Sequence, residues 1–239
     1  MAYFLLVGEG EEILVKNEKT NTHYGMIDGT KLKHGMKIKM KNKTFYVTKP
    51  ALPDMIKKCR RMPQIVMFKD ASQILAVTGL TNGWRCLDAG GGSGFLSVFI
   101  GYYVQPDGKV FCYERNKEFA ENIKKNIEIC GLGKIVEVKP KTVFGFRERK
   151  LNIVTLDMID AEKLMPEVYK ALVPGGWLCV YSPHIEQQKK VIESAGKLVH
   201  IKTIENIQRE WQVSDYTHPK PSGIMHTGFM SFFRKYNFK

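Results

Sequence analysis

Apolar segments of two alternating types fill most of the chain. Short strand-like runs occur at 86–87, 110–113, 135–138, 151–156 and 177–181, and helical spacing of apolar residues occurs at 71–77, 95–100, 117–129, 161–172 and 186–195. Alternating strands and helices with short connections predict an α/β fold with a Rossmann-like, doubly wound sheet. Segments 199–207 and 228–234 also alternate, and we predict that they close the sheet as an antiparallel pair.

The first 48 residues have a different pattern. Strand-like runs at 4–7, 12–15, 37–40 and 44–47 are separated by turn residues such as Asp28-Gly29, which predicts a small antiparallel β domain. Residues 49–62 are predicted to be a linker with a short helix, and a larger domain spans 63–239. Asp70 is predicted to cap the helix at 71–77, which Gly79 ends.

Positive charge is concentrated in the small β domain. The chain has a formal net charge of +13, and seven lysines with no acidic residue fall between Lys31 and Lys49. Such an excess favours a polyanionic partner such as nucleic acid. Lys37, Lys39, Lys41 and Lys43 are therefore predicted to contact RNA. The alternative is a solvated strand face whose lysines protect a sheet edge.

The five cysteines form no C-x-x-C pair, and Cys86, Cys112 and Cys179 lie within apolar strand patterns. This predicts reduced thiols, a cytoplasmic protein and no metal site. The apolar N-terminal segment is short and is followed by glutamates, so we do not expect it to be a signal peptide. No apolar run approaches the ~18 residues of a membrane span, and we predict no membrane association.

A glycine-rich turn follows the strand at 86–87. It reads Asp88-Ala-Gly90-Gly-Gly92-Ser-Gly94, and Glu114 ends the next strand. Glycines allow close approach of a ligand to the backbone, and a carboxylate can accept both hydrogen bonds of a ribose diol. A dinucleotide fingerprint would require a small residue where Phe95 stands. Without a second motif, the turn could instead be purely structural.

With Asp88 before it and Glu114 after it, the turn resembles motif I of class I S-adenosylmethionine-dependent methyltransferases. Further segments resemble the tRNA (adenine-N1)-methyltransferases of the TrmI type, over nearly the whole chain. They are 49–54, 61–70 with its Pro-Gln-Ile, Leu156-Asp157-Met158, Pro174-Gly-Gly followed by Tyr181-Ser-Pro, and Met225-His-Thr-Gly-Phe229. The resemblance implies S-adenosylmethionine as cofactor, tRNA as partner and a homotetramer.

The resemblance also implies site residues. Those expected to bind the cofactor are Gln64, Gly90, Gly92, Ser93, Gly94, Phe95, Leu96, Glu114, Thr142, Val143 and Asp157. Those expected at the RNA substrate, besides the four lysines, are Tyr181, His218 and Thr227. Asp157 and His226 are the expected catalytic residues, acting on N1 of the T-loop adenine at position 58, with position 57 as a second candidate, once the base is flipped out.

Asp157 is the strongest catalytic candidate by chemistry. Methylation at N1 makes the adenine ring cationic, and a carboxylate bonded to N6 would stabilise that charge or take a proton. An aspartate at a strand end could alternatively cap the next helix. His226 by itself could equally be a core histidine.

The chain departs from the TrmI pattern at four places. Lys141-Thr142 replaces Gly-Asp, Met67-Phe68 lacks the proline before Lys-Asp, Ile159 replaces a proline and His218 replaces an arginine. Two alternatives therefore stay open. One is a non-catalytic tRNA-binding subunit, and the other is a methyltransferase with another substrate.

Overall fold

A computed structural model of the chain describes residues 3–62, 65–221, 223 and 226–236. The predicted Gln64 lies outside these residues. The elements of the N-terminal part are β1 (Tyr3–Gly8), β2 (Glu11–Lys16), β3 (Lys19–Thr22), β4 (Gly25–Asp28), β5 (Lys37–Met40) and β6 (Lys43–Thr48). Four of these strands form an antiparallel sheet in the order β2-β1-β6-β5, and β3 and β4 form a separate hairpin. The sequence did not predict this hairpin, in which Ile27 is the buried residue.

The alternation of apolar and polar residues along the strands explains which face of the first sheet is buried. Leu6, Val15, Phe45 and Val47 point into one small core, while the lysines of β5 point to solvent. Among the described residues, the core of residues 6–47 is formed by side chains of this part alone. A helix, α1 (Leu52–Ile56), lies in the segment predicted as a linker.

The larger part contains a seven-stranded sheet with helices on both faces. Its helices are α2 (Phe68–Thr78), α3 (Phe95–Val104), α4 (Lys117–Ile129), α5 (Met165–Ala171) and α6 (Ile185–Glu193). Its strands are β7 (Arg85–Ala89), β8 (Lys109–Tyr113), β9 (Val136–Lys139), β10 (Leu151–Leu156), β11 (Leu172–Ser182), β12 (Leu198–Glu205) and β15 (Phe229–Lys235). A two-residue-strand hairpin, β13 (Trp211–Gln212) and β14 (His218–Pro219), precedes β15.

The strand order is β12-β15-β11-β10-β7-β8-β9. Strands β11, β10, β7, β8 and β9 are parallel, and β15 runs antiparallel between β11 and β12. The predicted Rossmann-like class with an antiparallel end is confirmed. One core lies between the sheet and α1–α4, and a second lies between the sheet and α5–α6.

One local prediction is wrong. Asp70 does not cap α2, because the helix starts at Phe68 and Asp70 lies in its first turn with none of its surface exposed. Buried partners from distant parts of the chain hold Asp70 there, so local capping rules did not decide its position.

Specific hydrogen bonds attach the linker to the glycine turn. The amide of buried Asn126, on α4, donates to the carbonyls of Arg60 (3.0 Å) and Ser93 (2.9 Å), and its oxygen accepts from the Arg60 N–H at 2.9 Å. Ser93 Oγ in turn accepts from the Met62 N–H at 2.7 Å. Asn126 therefore joins the linker, the turn and α4.

Replacing Asn126 with alanine should lower the free energy of unfolding by about 2–4 kcal/mol, because it leaves several buried backbone groups without partners. Denaturant unfolding measures this. Lys125→Ala, at an exposed position on the same helix, is the matched control and should change stability by less than about 0.5 kcal/mol. Equal stability of the two variants would contradict the role of Asn126.

Candidate active site

The glycine turn brings the ends of β7 and β10 into direct contact. Gly90, Gly92 and Gly94 all have positive φ angles, of 86°, 53° and 78°. A Cβ on Gly90 would lie 1.9 Å from the carbonyl oxygen of Asp157. The Asp157 N–H donates to Ala89 O at 2.9 Å. Only glycine permits this approach, which places Asp157 beside the turn.

Glu114 closes the other side of the turn. One carboxylate oxygen accepts from the Gly92 N–H at 2.8 Å, and the other accepts from the Asn116 N–H at 2.8 Å. Each oxygen keeps a further lone pair for a ligand hydroxyl. Glu114 therefore shapes the turn as well as being available for a diol, a double role that sequence reasoning missed.

Two cavities meet at Asp157. The larger, which we call the carboxyl-edge cleft, has a volume of about 340 Å³ and is lined by Gly90, Tyr113, Glu114, Arg115, Lys141, Thr142, Val143, Phe144, Asp157, Met158, Ile159 and Asp160. The smaller, the inner pocket, is lined by Ile65, Val66, Gly90, Gly91, Ser93, Phe95, Leu96 and Asp157. Among the described residues, only Gly90 and Asp157 line both, so Asp157 stands where the cavities adjoin.

The two carboxylates flank β7 from opposite sides, because β10 and β8 are its neighbours in the sheet. Ligands of open α/β sheets bind at this carboxyl edge. The residues fit S-adenosylmethionine: Glu114 would hold the ribose, and Thr142 and Val143 would line the purine end. Thr142 is exposed and Val143 is buried.

Asp157 is partly buried and electrostatically unusual. Burial raises the pKa of its carboxyl to about 7, and the nearby charge of Asp88 adds to that rise. The helical turn that follows, Ala161–Leu164, begins after Asp160. Asp157 thus does not cap it, and the capping alternative is excluded. A carboxyl that titrates near neutral pH at the junction of two cavities is suited to proton transfer.

Asp88 stabilises the glycine turn through buried hydrogen bonds. Its carboxylate accepts from Ser97 Oγ at 2.5 Å and from Thr155 Oγ1 at 2.7 Å, and burial raises its pKa. Ser97 belongs to α3 and Thr155 to β10, so Asp88 joins three elements under the site. It is a structural residue that does not face the carboxyl-edge cleft.

The other predicted residues fall in three places. Ser93, Phe95 and Leu96 line the inner pocket, although Ser93 also bonds the linker. Tyr181, on β11, pairs with Met230 of β15, and Thr227 lies just before β15. His218 lies on the exposed β13–β14 hairpin, where its ring Nδ1 contacts Pro219 O.

His226 is placed apart from both cavities. Its ring nitrogens contact a Glu205 carboxylate oxygen at 2.5 Å and Pro183 O at 3.1 Å, and the Glu205 contact raises its pKa. Neither cavity is lined by His226. The structure brings together Asp157, Glu114 and the glycine turn, and leaves His226 at the surface with its ring nitrogens engaged.

Within the described residues, no cluster of three or more potential metal ligands occurs and no helix could cross a membrane. The described cysteines carry free thiols.

A fold with five parallel strands, an inserted antiparallel strand, a glycine turn and an acid ending the next strand defines a class I S-adenosylmethionine-dependent methyltransferase. Residues 46–232 match the family model of the tRNA methyltransferase complex GCD14 subunit. The chain belongs to this family.

Relatives and solved structures agree with this assignment. A tRNA (adenine(57)-N(1)/adenine(58)-N(1))-methyltransferase TrmI of Methanocaldococcus jannaschii is 30% identical, covering 98% of this chain and 95% of its own. A tRNA (adenine(58)-N(1))-methyltransferase TrmI of Thermus thermophilus is 27% identical over 80% of this chain and 76% of its own. A SAM-dependent O-methyltransferase of Thermotoga maritima superposes with a TM-score of 0.79 at 30% identity, covering 100% of this chain and 94% of its own.

Gly90→Ala should abolish measurable S-adenosylmethionine binding or weaken it at least about tenfold, since the new Cβ would force the turn away from Asp157. Isothermal calorimetry measures the affinity. Gly131→Ala is the matched control: it also has positive φ (68°) but open space around the Cβ, so it should cost about 1–2 kcal/mol of stability and leave affinity unchanged. Equal affinity losses would contradict the steric argument.

Proposed function

We propose that this protein transfers a methyl group from S-adenosylmethionine to N1 of the adenine at position 58 in the T loop of tRNA, with position 57 as a second target. The observation that carries the proposal is Asp157, whose perturbed carboxyl adjoins both cavities at the glycine turn. The names of the archaeal and bacterial TrmI relatives support the substrate.

The cofactor, when bound, supplies an electrophilic methyl group, and positioning of the base is the protein's main task. The Asp157 carboxylate accepts a hydrogen bond from the N6 amino group of the flipped adenine. It thereby stabilises the positive charge that grows on the ring, and it can take a proton from N6. Tyr181 follows Val180, which pairs with Leu156 on the neighbouring strand, and we assign it to stacking on the flipped base.

Lys37 and Lys39 are the best-placed RNA contacts. Both are exposed on β5, where Lys37 lies over the ring of exposed Tyr46, and Lys39 is on the same face. Lys43 instead pairs with Glu11, and Lys41 donates to His23 O. We assign phosphate contacts to Lys37 and Lys39 first, with Lys41 and Lys43 in a supporting role. We assign a further RNA contact to His218, which is exposed on its hairpin.

We further propose that the protein is a homotetramer and is located in the cytoplasm, as the TrmI resemblance implies. The alternatives differ in outcome. A non-catalytic subunit would bind tRNA and cofactor without transferring methyl, and a methyltransferase of another class would leave tRNA unmodified. Single-turnover methyl transfer to tRNA, with the product located by a reverse-transcription stop, separates the proposed activity from both alternatives. A tRNA-binding titration then separates the two alternatives from each other.

Asp157→Asn should reduce the single-turnover rate about a hundredfold or more, because it removes the charge that opposes the cationic ring. The affinity for tRNA should hardly change, since phosphate contacts supply most of it. In the unmodified protein the ionised carboxylate is the active form, so the rate should rise with pH up to about 7, near the raised pKa of Asp157.

The variant should lack this pH dependence. Asp160→Asn, also in the cleft lining, is the control and should keep the pH dependence. A fully active Asp157→Asn protein would remove Asp157 from the mechanism. A protein that binds both ligands but produces no stop would instead establish the non-catalytic subunit.

Neutralising Lys37 and Lys39 together should weaken tRNA binding and lower the slope of log affinity against log salt by up to about 0.9 for each lost phosphate contact. Fluorescence titrations over a salt series measure it. Lys189→Ala/Lys190→Ala, on exposed positions of α6, removes the same charge elsewhere. If both pairs shift the slope equally, only net charge matters and β5 is not a contact surface.

A further inference from the structure

Two cysteine thiols are in contact where the linker meets α4. Cys59 follows α1 and is buried, and Cys130 directly follows α4 and is partly exposed. Their Sγ atoms lie 3.7 Å apart, although the two residues are 71 positions apart in the chain. The fold therefore brings together two thiols that no sequence motif pairs.

The distance between the two sulfur atoms is close to what a disulfide bond requires. A bonded pair of sulfurs lies about 2 Å apart, so the atoms need to approach by about 1.7 Å, which is within the reach of rotation about the Cα–Cβ bonds. Strong partners do not oppose this movement, because Cys59 Sγ lies 3.7 Å from Met55 O and 3.9 Å from Asn126 O. Contacts of a thiol at such distances are weak.

Hydrogen bonds already fix the residue after Cys59 to α4. The Arg60 N–H donates to Asn126 Oδ1 at 2.9 Å, and Arg60 O accepts from Asn122 Nδ2 at 3.2 Å and from Asn126 Nδ2 at 3.0 Å. Asn126 also bonds the glycine turn. A covalent bond between Cys59 and Cys130 lies next to these contacts, so it would keep the linker on α4 when the hydrogen bonds open.

We propose that Cys59 and Cys130 form a reversible disulfide that fastens the linker to α4 beside the glycine turn. Because the bond joins residues far apart in the chain, it restricts the unfolded chain as well as the locally opened linker. The disulfide does not depend on which reaction the neighbouring site performs.

The oxidant is a small disulfide, such as oxidised glutathione, which reaches the pair through the partly exposed Cys130. A thiolate of the pair attacks one sulfur of the small disulfide, which forms a mixed disulfide and releases one small thiolate. The second cysteine then attacks the protein sulfur of that mixed disulfide and releases the second small thiolate. The two protons lost by the cysteines go to the two small thiolates. The protein thus loses two electrons, and the small disulfide gains them.

The other three thiols provide an internal comparison. Cys86, Cys112 and Cys179 lie within strands of the sheet and are at most 1% exposed. A small disulfide in solution does not reach such thiols, so we expect oxidation of the native protein to be confined to the linker pair.

The first measurement identifies the bond. The protein is equilibrated in buffers of reduced and oxidised glutathione, trapped by alkylation and digested without reduction. Mass spectrometry should find a peptide that joins Cys59 to Cys130, with a protein mass lower by about 2 Da, and a reducing agent should reverse both changes. A lasting mixed disulfide without the internal link, a bond between two chains, or unchanged thiols in the most oxidising buffer would overturn the proposal.

The second measurement tests whether the bond fastens the linker. Lys57, Lys58, Arg60 and Arg61 are exposed beside Cys59 and are sites for trypsin. Cleavage at these sites should be at least about fivefold slower in the oxidised protein than in the reduced protein, because it requires the linker to open. The melting temperature should rise by about 5 °C or more. A linked protein with unchanged cleavage and unchanged melting temperature would contradict the fastening role.

Two variants separate the pair from general oxidation. Cys130→Ser, at the partly exposed position, should show no link, no protection from trypsin and no rise in melting temperature in the oxidising buffer. Cys179→Ala removes a thiol in the sheet and is the matched control, which should keep all three effects. The comparison of oxidised with reduced unmodified protein needs no substitution, so it decides the matter where a variant is destabilised. Equal protection of oxidised Cys130→Ser and unmodified protein would overturn the proposal.

Discussion

The close contact between Gly90 and the backbone of Asp157 is the constraint on which the site depends. It requires a residue without a Cβ at a positive φ, and it joins the ends of two adjacent parallel strands. From this contact follow the shared boundary of the two cavities and the position of the Asp157 carboxyl. The bond from the Gly92 N–H to Glu114 extends the constraint to the next strand.

The carboxyl groups of Asp88, Asp70 and Asp157 have little exposed surface. They differ in how the free-energy cost of burial is offset. Asp88 accepts from two hydroxyls, and Asp70 is paired with an ammonium and a hydroxyl. No hydrogen bond to the Asp157 side chain is present among the described residues, and its pKa is raised by burial. Asp88 and Asp70, whose carboxylates have hydrogen-bond partners, stabilise the structure. Asp157, without such partners among the described residues, faces the cavities, as expected of a group that reacts.

The departures from the TrmI pattern include several exposed positions. Ile159 is 70% exposed, Phe68 is 39% exposed, and Thr142 and His218 are exposed. In contrast, the turn, Asp88 and Tyr181 are buried or tightly packed. Changes at exposed positions leave the sheet undisturbed, so they are compatible with an intact site at Asp157. This arrangement weakens the alternative of a non-catalytic subunit.

The sequence by itself determined the class of fold, the glycine turn and both carboxylates that flank it. These depend on local periodicity, on glycine's tolerance of positive φ and on the rule that parallel strands end at one edge. Tertiary structure alone decided the role of Asp70, which local rules made a helix cap. Its partner Thr227 is 157 positions away, and no pattern within a window of residues reports such a contact. The same reason separates His226 from the cavities: its neighbours, Glu205 and Pro183, meet it only when β12, β15 and β11 assemble.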